Sequence, residues 1–203
     1  MNKKLINLLA VISLLGFAAD NEIYVDQSGT GANIDLEQLG ISNINANTFT
    51  GLYNFTGDTN TFTIQVDPTN TYSSAGSDQN ISVTGSSNTF TLNQGTTAIA
   101  ANLNLDWIIQ GSSNTVTSNI NIDGATNYMD IDGSDNTVNY TGTGVNASAG
   151  GYFWLDHTGG QRTFNIQQLS TQDNDWLKII SIGGNAASTV CVIQNDQGTS
   201  TSC

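Results

Sequence analysis

Positive charge is the scarcest property of this 203-residue chain. Lys and Arg number 4 against 17 Asp and Glu, for a formal net charge of −13. Lys3 and Lys4 precede the apolar run Leu5–Phe17 and the small residues Ala18 and Ala19. A short basic start, an apolar stretch too short to span a bilayer and a small-residue exit predict a secretory signal peptide over residues 1–19. Its removal shifts the charge to about −15 and leaves Arg162 and Lys178 as the remaining cations. Binding phosphates needs Lys and Arg, so nucleic acid and anionic membranes are not expected partners. No later stretch is apolar enough to span a bilayer, so the mature chain is expected to be extracellular, secreted or surface-bound, with no transmembrane segment.

Proline occurs once, at Pro68, while glycine occurs 21 times among abundant Asn, Thr and Ser. That mixture excludes a helical bundle, and periodic apolar residues argue against disorder. Histidine also occurs once, as His157. Without a Gly-x-Ser-x-Gly elbow to accompany it, the chain offers no hydrolase triad. A non-enzymatic protein is therefore expected, with no catalytic residues, metal or cofactor. The two cysteines, Cys191 and Cys203, both lie near the C-terminus. In a secreted chain that placement predicts a disulfide tying down the tail.

What the chain has in quantity is repetition. Gly57-Asp58-Thr59-Asn60, Gly85-Ser86-Ser87-Asn88, Gly111-Ser112-Ser113-Asn114 and Gly133-Ser134-Asp135-Asn136 each precede an alternating segment. With Gly159 and Gly183 they form corners separated by 28, 26, 22, 26 and 24 residues. Ahead of each corner lies another short strand-like segment, and variable loops, including Asp67–Gln79 and Thr141–Gly150, take up the slack. Such self-similarity predicts an all-β protein, a β-solenoid of about six to seven coils with roughly 22–28 residues each. Residues 20–51 form an N-terminal coil or cap, and 52–203 carry the solenoid repeats and the Cys-stapled tail. A meander of hairpins would use the same corners, but it does not require like residues at the same slot of every unit.

Parity separates inside from outside. Asn60, Phe62, Ile64 and Val66 share a face, as do Asn88, Phe90 and Leu92, then Asn114, Val116 and Ser118, then Asn136, Val138 and Tyr140. The apolar members are expected to face the core. Asn60, Asn88, Asn114 and Asn136 are expected to stack as a ladder about 4.8 Å apart, their amides donating to one another and to corner carbonyls. The slot becomes Arg162 and then about Ser188, where the ladder is expected to stop. Thr61, Thr63, Thr89, Thr91, Thr115 and Thr117 fall on the opposite, outward face.

Few other groups suggest chemistry. Asp130, Asp132 and Asp135 gather around the Gly133 corner, where their oxygens could bind Ca²⁺ weakly although the spacing fits neither an EF-hand nor the Gly-rich Ca²⁺-binding nonapeptide repeat. Of the bulky aromatics, Trp107, Tyr152-Phe153-Trp154 and Trp176, some must fill the core. Any that face outward could stack on sugar rings or join subunits.

The spacing of Gln27-x-Gly29, Asn33 and Gln38 resembles the curlin repeat of bacterial curli fibres, with Gln110-Gly111-Ser112-Ser113-Asn114 and Asn93-Gln94-Gly95 as looser echoes. The corner carries one extra residue, and the usual Ala after Asn is absent. Asp20-Asn21-x-Ile23-x-Val25-Asp26-Gln27-x-Gly29, directly after the leader, is similar to the opening of curlin-like virion structural proteins predicted in marine bacteriophages. These resemblances imply a structural component of a virion or cell envelope. It would self-associate by coil stacking, or meet other envelope or virion proteins. The alternative is a glycan-binding adhesin or an ice-binding module, using the outward aromatics or the Thr ranks.

Overall fold

The computed structural model describes residues 21–38, 49–66, 77–95, 103–144, 150–170, 175–183 and 187–194. The expected signal peptide and Cys203 lie outside the described residues. Fourteen strands alternate between two sheets. One sheet holds β1 (Asn21–Ser28), β3 (Phe49–Thr56), β5 (Asp78–Thr84), β7 (Asn104–Gln110), β9 (Thr126–Asp132), β11 (Tyr152–Thr158) and β13 (Trp176–Ile182). The other holds β2 (Asn33–Gln38), β4 (Thr61–Val66), β6 (Thr89–Gln94), β8 (Thr115–Asn121), β10 (Asn136–Gly144), β12 (Arg162–Ser170) and β14 (Thr189–Gln194). Every pairing is parallel and joins successive strands of one sheet. This is the expected all-β solenoid, with two strands per coil.

The corners are where the sequence fixes the coil. Gly57, Gly85, Gly111 and Gly133 have φ between 129° and 142°, and the third corner residues Thr59, Ser87, Ser113 and Asp135 have φ between 57° and 61°. Glycine reaches that first region freely, while small polar residues tolerate the left-handed third position. The corners also continue the sheet ladder: Gly85 N donates to Gln110 O at 2.9 Å, and Ser87 N to Ser112 O at 3.0 Å. The stack thus remains hydrogen-bonded around the bend, where a buried orphan amide would cost about 1–3 kcal/mol.

Between the sheets lies one continuous core. Phe62, Ile64, Phe90, Leu92, Val116, Val138, Phe164 and Ile166 meet Tyr53, Phe55, Ile81, Trp107, Met129, Phe153 and Leu155. Phe55 stacks on Phe62 with centroids 3.6 Å apart, Phe62 on Phe90 at 4.9 Å, and Tyr140 on Phe153 at 4.0 Å. Each such side chain contributes about 1.5–3 kcal/mol by leaving water.

Two loop boundaries differ from expectation. The loop expected over Asp67–Gln79 yields Asp78 and Gln79 to β5, and the one expected from Thr141 yields Thr141–Gly144 to β10. Gln79 is buried, where its Nε2 donates to Gln94 Oε1, so a polar residue occupies an inward slot that hydropathy reads as loop.

His157 is another inward polar residue, fully buried on β11. Its Nδ1 lies 2.9 Å from Ser181 Oγ and its Nε2 3.1 Å from Gly133 O. Gly133 O can only accept, so Nε2 carries the proton and Nδ1 accepts from the serine hydroxyl. Burial lowers the His157 pKa below its usual value. Between that lowered value and about 6.5 the unfolded chain binds the extra proton. His157 therefore lowers stability as pH falls through that window, and its contribution is complete above it. The expected result is a melting temperature that drops from pH 7 to pH 5, and drops less in His157→Gln.

Candidate interaction surfaces

The Asn ladder is assembled as expected, with a different bonding pattern. Asn60, Asn88, Asn114 and Asn136 are all buried. Their Oδ1 atoms accept from the backbone of the preceding coil: Ala32 N to Asn60 at 2.8 Å, and Asn60 N to Asn88, Asn88 N to Asn114 and Asn114 N to Asn136 at 2.9 Å. The Nδ2 atoms of Asn88, Asn114 and Asn136 donate to Gly57 O, Gly85 O and Gly111 O at 2.9–3.0 Å. The amides therefore do not donate to one another. Each clamps the backbone of the coil before it, because the slot opens onto a bent main chain rather than a neighbouring side chain. Amide-to-amide rungs exist on the outer face instead, Asn119 to Asn93 at 2.9 Å and Asn165 to Asn139 at 2.8 Å. Arg162 pairs with Asn136 in register and brings no acceptor to the slot. Its Nη1 donates to Gly183 O at 2.7 Å, so the ladder ends there.

The outward face of the second sheet is uncharged from β4 to β12. Thr61, Thr89, Thr115, Thr137, Thr163 and Thr189 stand in one register. Thr63, Thr91 and Thr117 form a second rank that continues as Asn139 and Asn165. The sequence shows three Thr-x-Thr pairs. The longer first rank emerges only when the coils are aligned.

On the first sheet the outward face is acidic and aromatic. One register reads Tyr24, Leu52, Asn80, Asp106, Tyr128, Trp154 and Lys178. Tyr152 pairs with Trp176, and Asp130 with Asp156. Tyr128 meets Trp154 edge-on at 5.5 Å, Trp154 meets Trp176 edge-on at 6.3 Å, and Lys178 Nζ lies 3.8 Å over the Trp154 ring. Of the aromatics named from sequence, Trp107 and Phe153 are core, while Tyr152, Trp154 and Trp176 are outward. Tyr128 carries no such signal in the sequence, because its neighbours lie a full coil away.

Asp130 and Asp132 share this face, while Asp135 sits in the corner. Among the described residues, no three His, Cys, Asp or Glu side chains come together to hold a metal ion. Partial burial and the charges of Asp132, Asp156 and Asp106 raise the Asp130 pKa. A raised carboxyl favours the fold at low pH and opposes it as pH rises through the folded value. Asp130→Asn is therefore expected to melt higher than the parent at pH 7, with the gain vanishing below about pH 4. Farther along the face, Tyr24, Leu52, Asn54, Asn80, Asp106 and Ile108 line a depression of about 140 Å³. Ligand pockets typically occupy about 300–1,000 Å³, so this is a surface dimple rather than a substrate cavity.

The ends of the stack form the third candidate surface. Among the described residues, β1 and β2 have no partner on one side, and neither do β13 and β14. At the second end the inward positions are poorly covered, with Val190 48% and Val192 43% exposed and Leu177 and Ile179 only partly buried. Cys191 lies in β14.

No helix among the described residues is long and apolar enough to cross a membrane. No family model matches the chain, and neither a curated protein nor a solved structure matches it.

Proposed function

We propose that this protein is a non-enzymatic structural component, secreted or displayed on a cell or virion surface, whose copies stack end to end. The observation that carries this reading is that, among the described residues, β1 and β2 at one end and β13 and β14 at the other have no partner strand on one side. Aligning the Gly183 corner of one copy with the Gly29 corner of the next continues the register of the whole stack. Leu177 and Ile179 then meet Ile23 and Val25, and Val190 and Val192 meet Ile34 and Leu36. The joint would close four strand edges that have no partner among the described residues and would extend the core from one copy to the next.

Charge favours the same polarity. The first coil carries Glu22, Asp26, Asp35 and Glu37 and no cation, while both mature cations, Arg162 and Lys178, lie near the other end. In the aligned joint Lys178 stands beside Tyr24, with Glu22 and Asp26 diagonal to it. Lys178→Glu is therefore expected to slow assembly at low ionic strength and to recover as salt screens the repulsion. Sedimentation velocity in about 10 mM and about 500 mM salt checks this, spanning the Debye lengths that matter. Equal assembly of parent and variant at low salt contradicts the joint.

The expected leader, which supports an extracellular location, and the Cys191–Cys203 bridge belong to the same proposal. Folding the tail back on the last coil would limit growth at that end. A Cys191→Ser chain with unchanged melting and assembly removes the staple from the account.

The second reading, ice binding, draws on the uncharged Thr ranks. It requires arrest of ice growth by the purified chain and loss of that arrest in Thr89→Tyr.

A further inference from the structure

We infer that the outward face of β9, β11 and β13 is a binding platform for a neutral oligosaccharide segment. The inference is independent of end-to-end stacking. The fold does not call for aromatics at these positions. In the same registers of the earlier coils stand Glu22, Thr50, Asp78 and Asn104, and Tyr24, Leu52, Asn80 and Asp106, with Tyr24 the one aromatic among them. The last three coils replace them with Tyr128, Tyr152, Trp154 and Trp176. Tyr152 is 51% and Trp176 41% exposed, and their rings lie 6.1 Å apart with planes 47° from parallel. Large rings left in water on neighbouring strands mark a contact surface rather than a packing requirement.

The carboxylates beside them indicate the ligand class. Asp130 and Asp156 occupy directly paired positions, with Asp132 on the same face and Asp106 one coil back. Like charges placed opposite each other in a sheet are destabilising. Hydroxyl donors would satisfy these acceptor-only groups without adding charge. Anionic glycans would meet the same carboxylates as repulsion. A cationic ligand is less well served, because the ammonium of Lys178 already sits over Trp154. That leaves Tyr152 and Trp176 as the open stacking rings. The distance from the Tyr152 slot to the Asp156 slot is four residues along a strand, roughly 13 Å. A ligand with apolar ring faces and hydroxyl edges over that length is an oligosaccharide.

Affinity electrophoresis tests this directly. Native gels are cast with xylan, glucomannan, mixed-linkage β-glucan, starch or dextran, and with alginate as the anionic comparison. The platform predicts retardation of the parent chain in at least one neutral gel and none in alginate. Tyr152→Ala/Trp176→Ala and, separately, Asp156→Asn are expected to weaken that retardation at least tenfold. Tyr152→Ala alone, at the more exposed of the two open rings, keeps the test informative if the double variant melts lower. Free migration of the parent in every neutral gel overturns the inference, as does equal retardation of parent and variants.

Discussion

Gly111→Ala is expected to lose at least about 4 kcal/mol of unfolding free energy, in the range reserved for severe steric lesions. A Cβ at Gly111 would stand 2.1 Å from Gly85 O and 2.7 Å from Gly85 C. Its φ of +133° is also a region that side-chain-bearing residues avoid. The opposing carbonyl has little freedom to retreat, since it accepts from Asn114 Nδ2 at 3.0 Å. The clash therefore breaks a rung of the Asn ladder as well as the corner. Gly31 supplies the comparison. Its φ is +76°, but an added Cβ meets nothing within 4 Å. Gly31→Ala should cost only the left-handed strain, about 1–2 kcal/mol. Urea unfolding of the two variants side by side checks the account. Equal losses would mean that coil-to-coil approach at the Gly corner is not what the glycines are for.

Asn114→Leu is expected to cost about 3–5 kcal/mol, although the side chains are similar in size. The substitution removes the acceptor of Asn88 N and the donor to Gly85 O. Each buried group left without a partner carries a penalty of about 1–3 kcal/mol. Asn60→Leu should cost less, because Asn60 Nδ2 has no hydrogen-bond partner among the described residues while its Oδ1 serves Ala32 N. Thr115→Val, next along the chain but outward, should stay within about 0.5 kcal/mol. Hydrogen exchange gives the same ordering another readout: the Asn88 amide, protected in the parent, should exchange far faster in Asn114→Leu. A loss no larger than that of Thr115→Val would demote the ladder to a turn preference.

These two effects also show how far the sequence could be read. Gly85-Ser86-Ser87-Asn88-Thr89-Phe90 recurs because a solenoid places the same backbone conformation and the same inward slot in every coil. The corner, the buried Asn and the apolar parity are therefore visible in one coil and repeated in the next. What depends on the relation between coils is much less visible. The Asn side chains clamp the preceding main chain instead of one another, and the spacing of asparagines is the same in either case. The strand starts at Asp78 and Thr126 carry no hydrophobic alternation, since the inward slots there hold Gln79 and Asn127 and their pairing comes from the ladder they extend. The sequence offers His157 no polar partner nearby; Ser181 and Gly133, each 24 residues away, supply its partners inside. The aromatic platform is hidden for the same reason: Tyr128, Trp154 and Lys178 are neighbours only once the coils are in register.

The proposed assembly would continue that register, because among the described residues β1, β2, β13 and β14 each have one side without a partner strand. Time-resolved negative-stain microscopy of the purified chain from Asp20 onward, at micromolar concentration, tests it most directly. The account predicts unbranched fibres one solenoid wide that lengthen with time and retain 4.8 Å strand spacing in diffraction. Monomers or small closed oligomers that persist under those conditions would contradict end-to-end stacking.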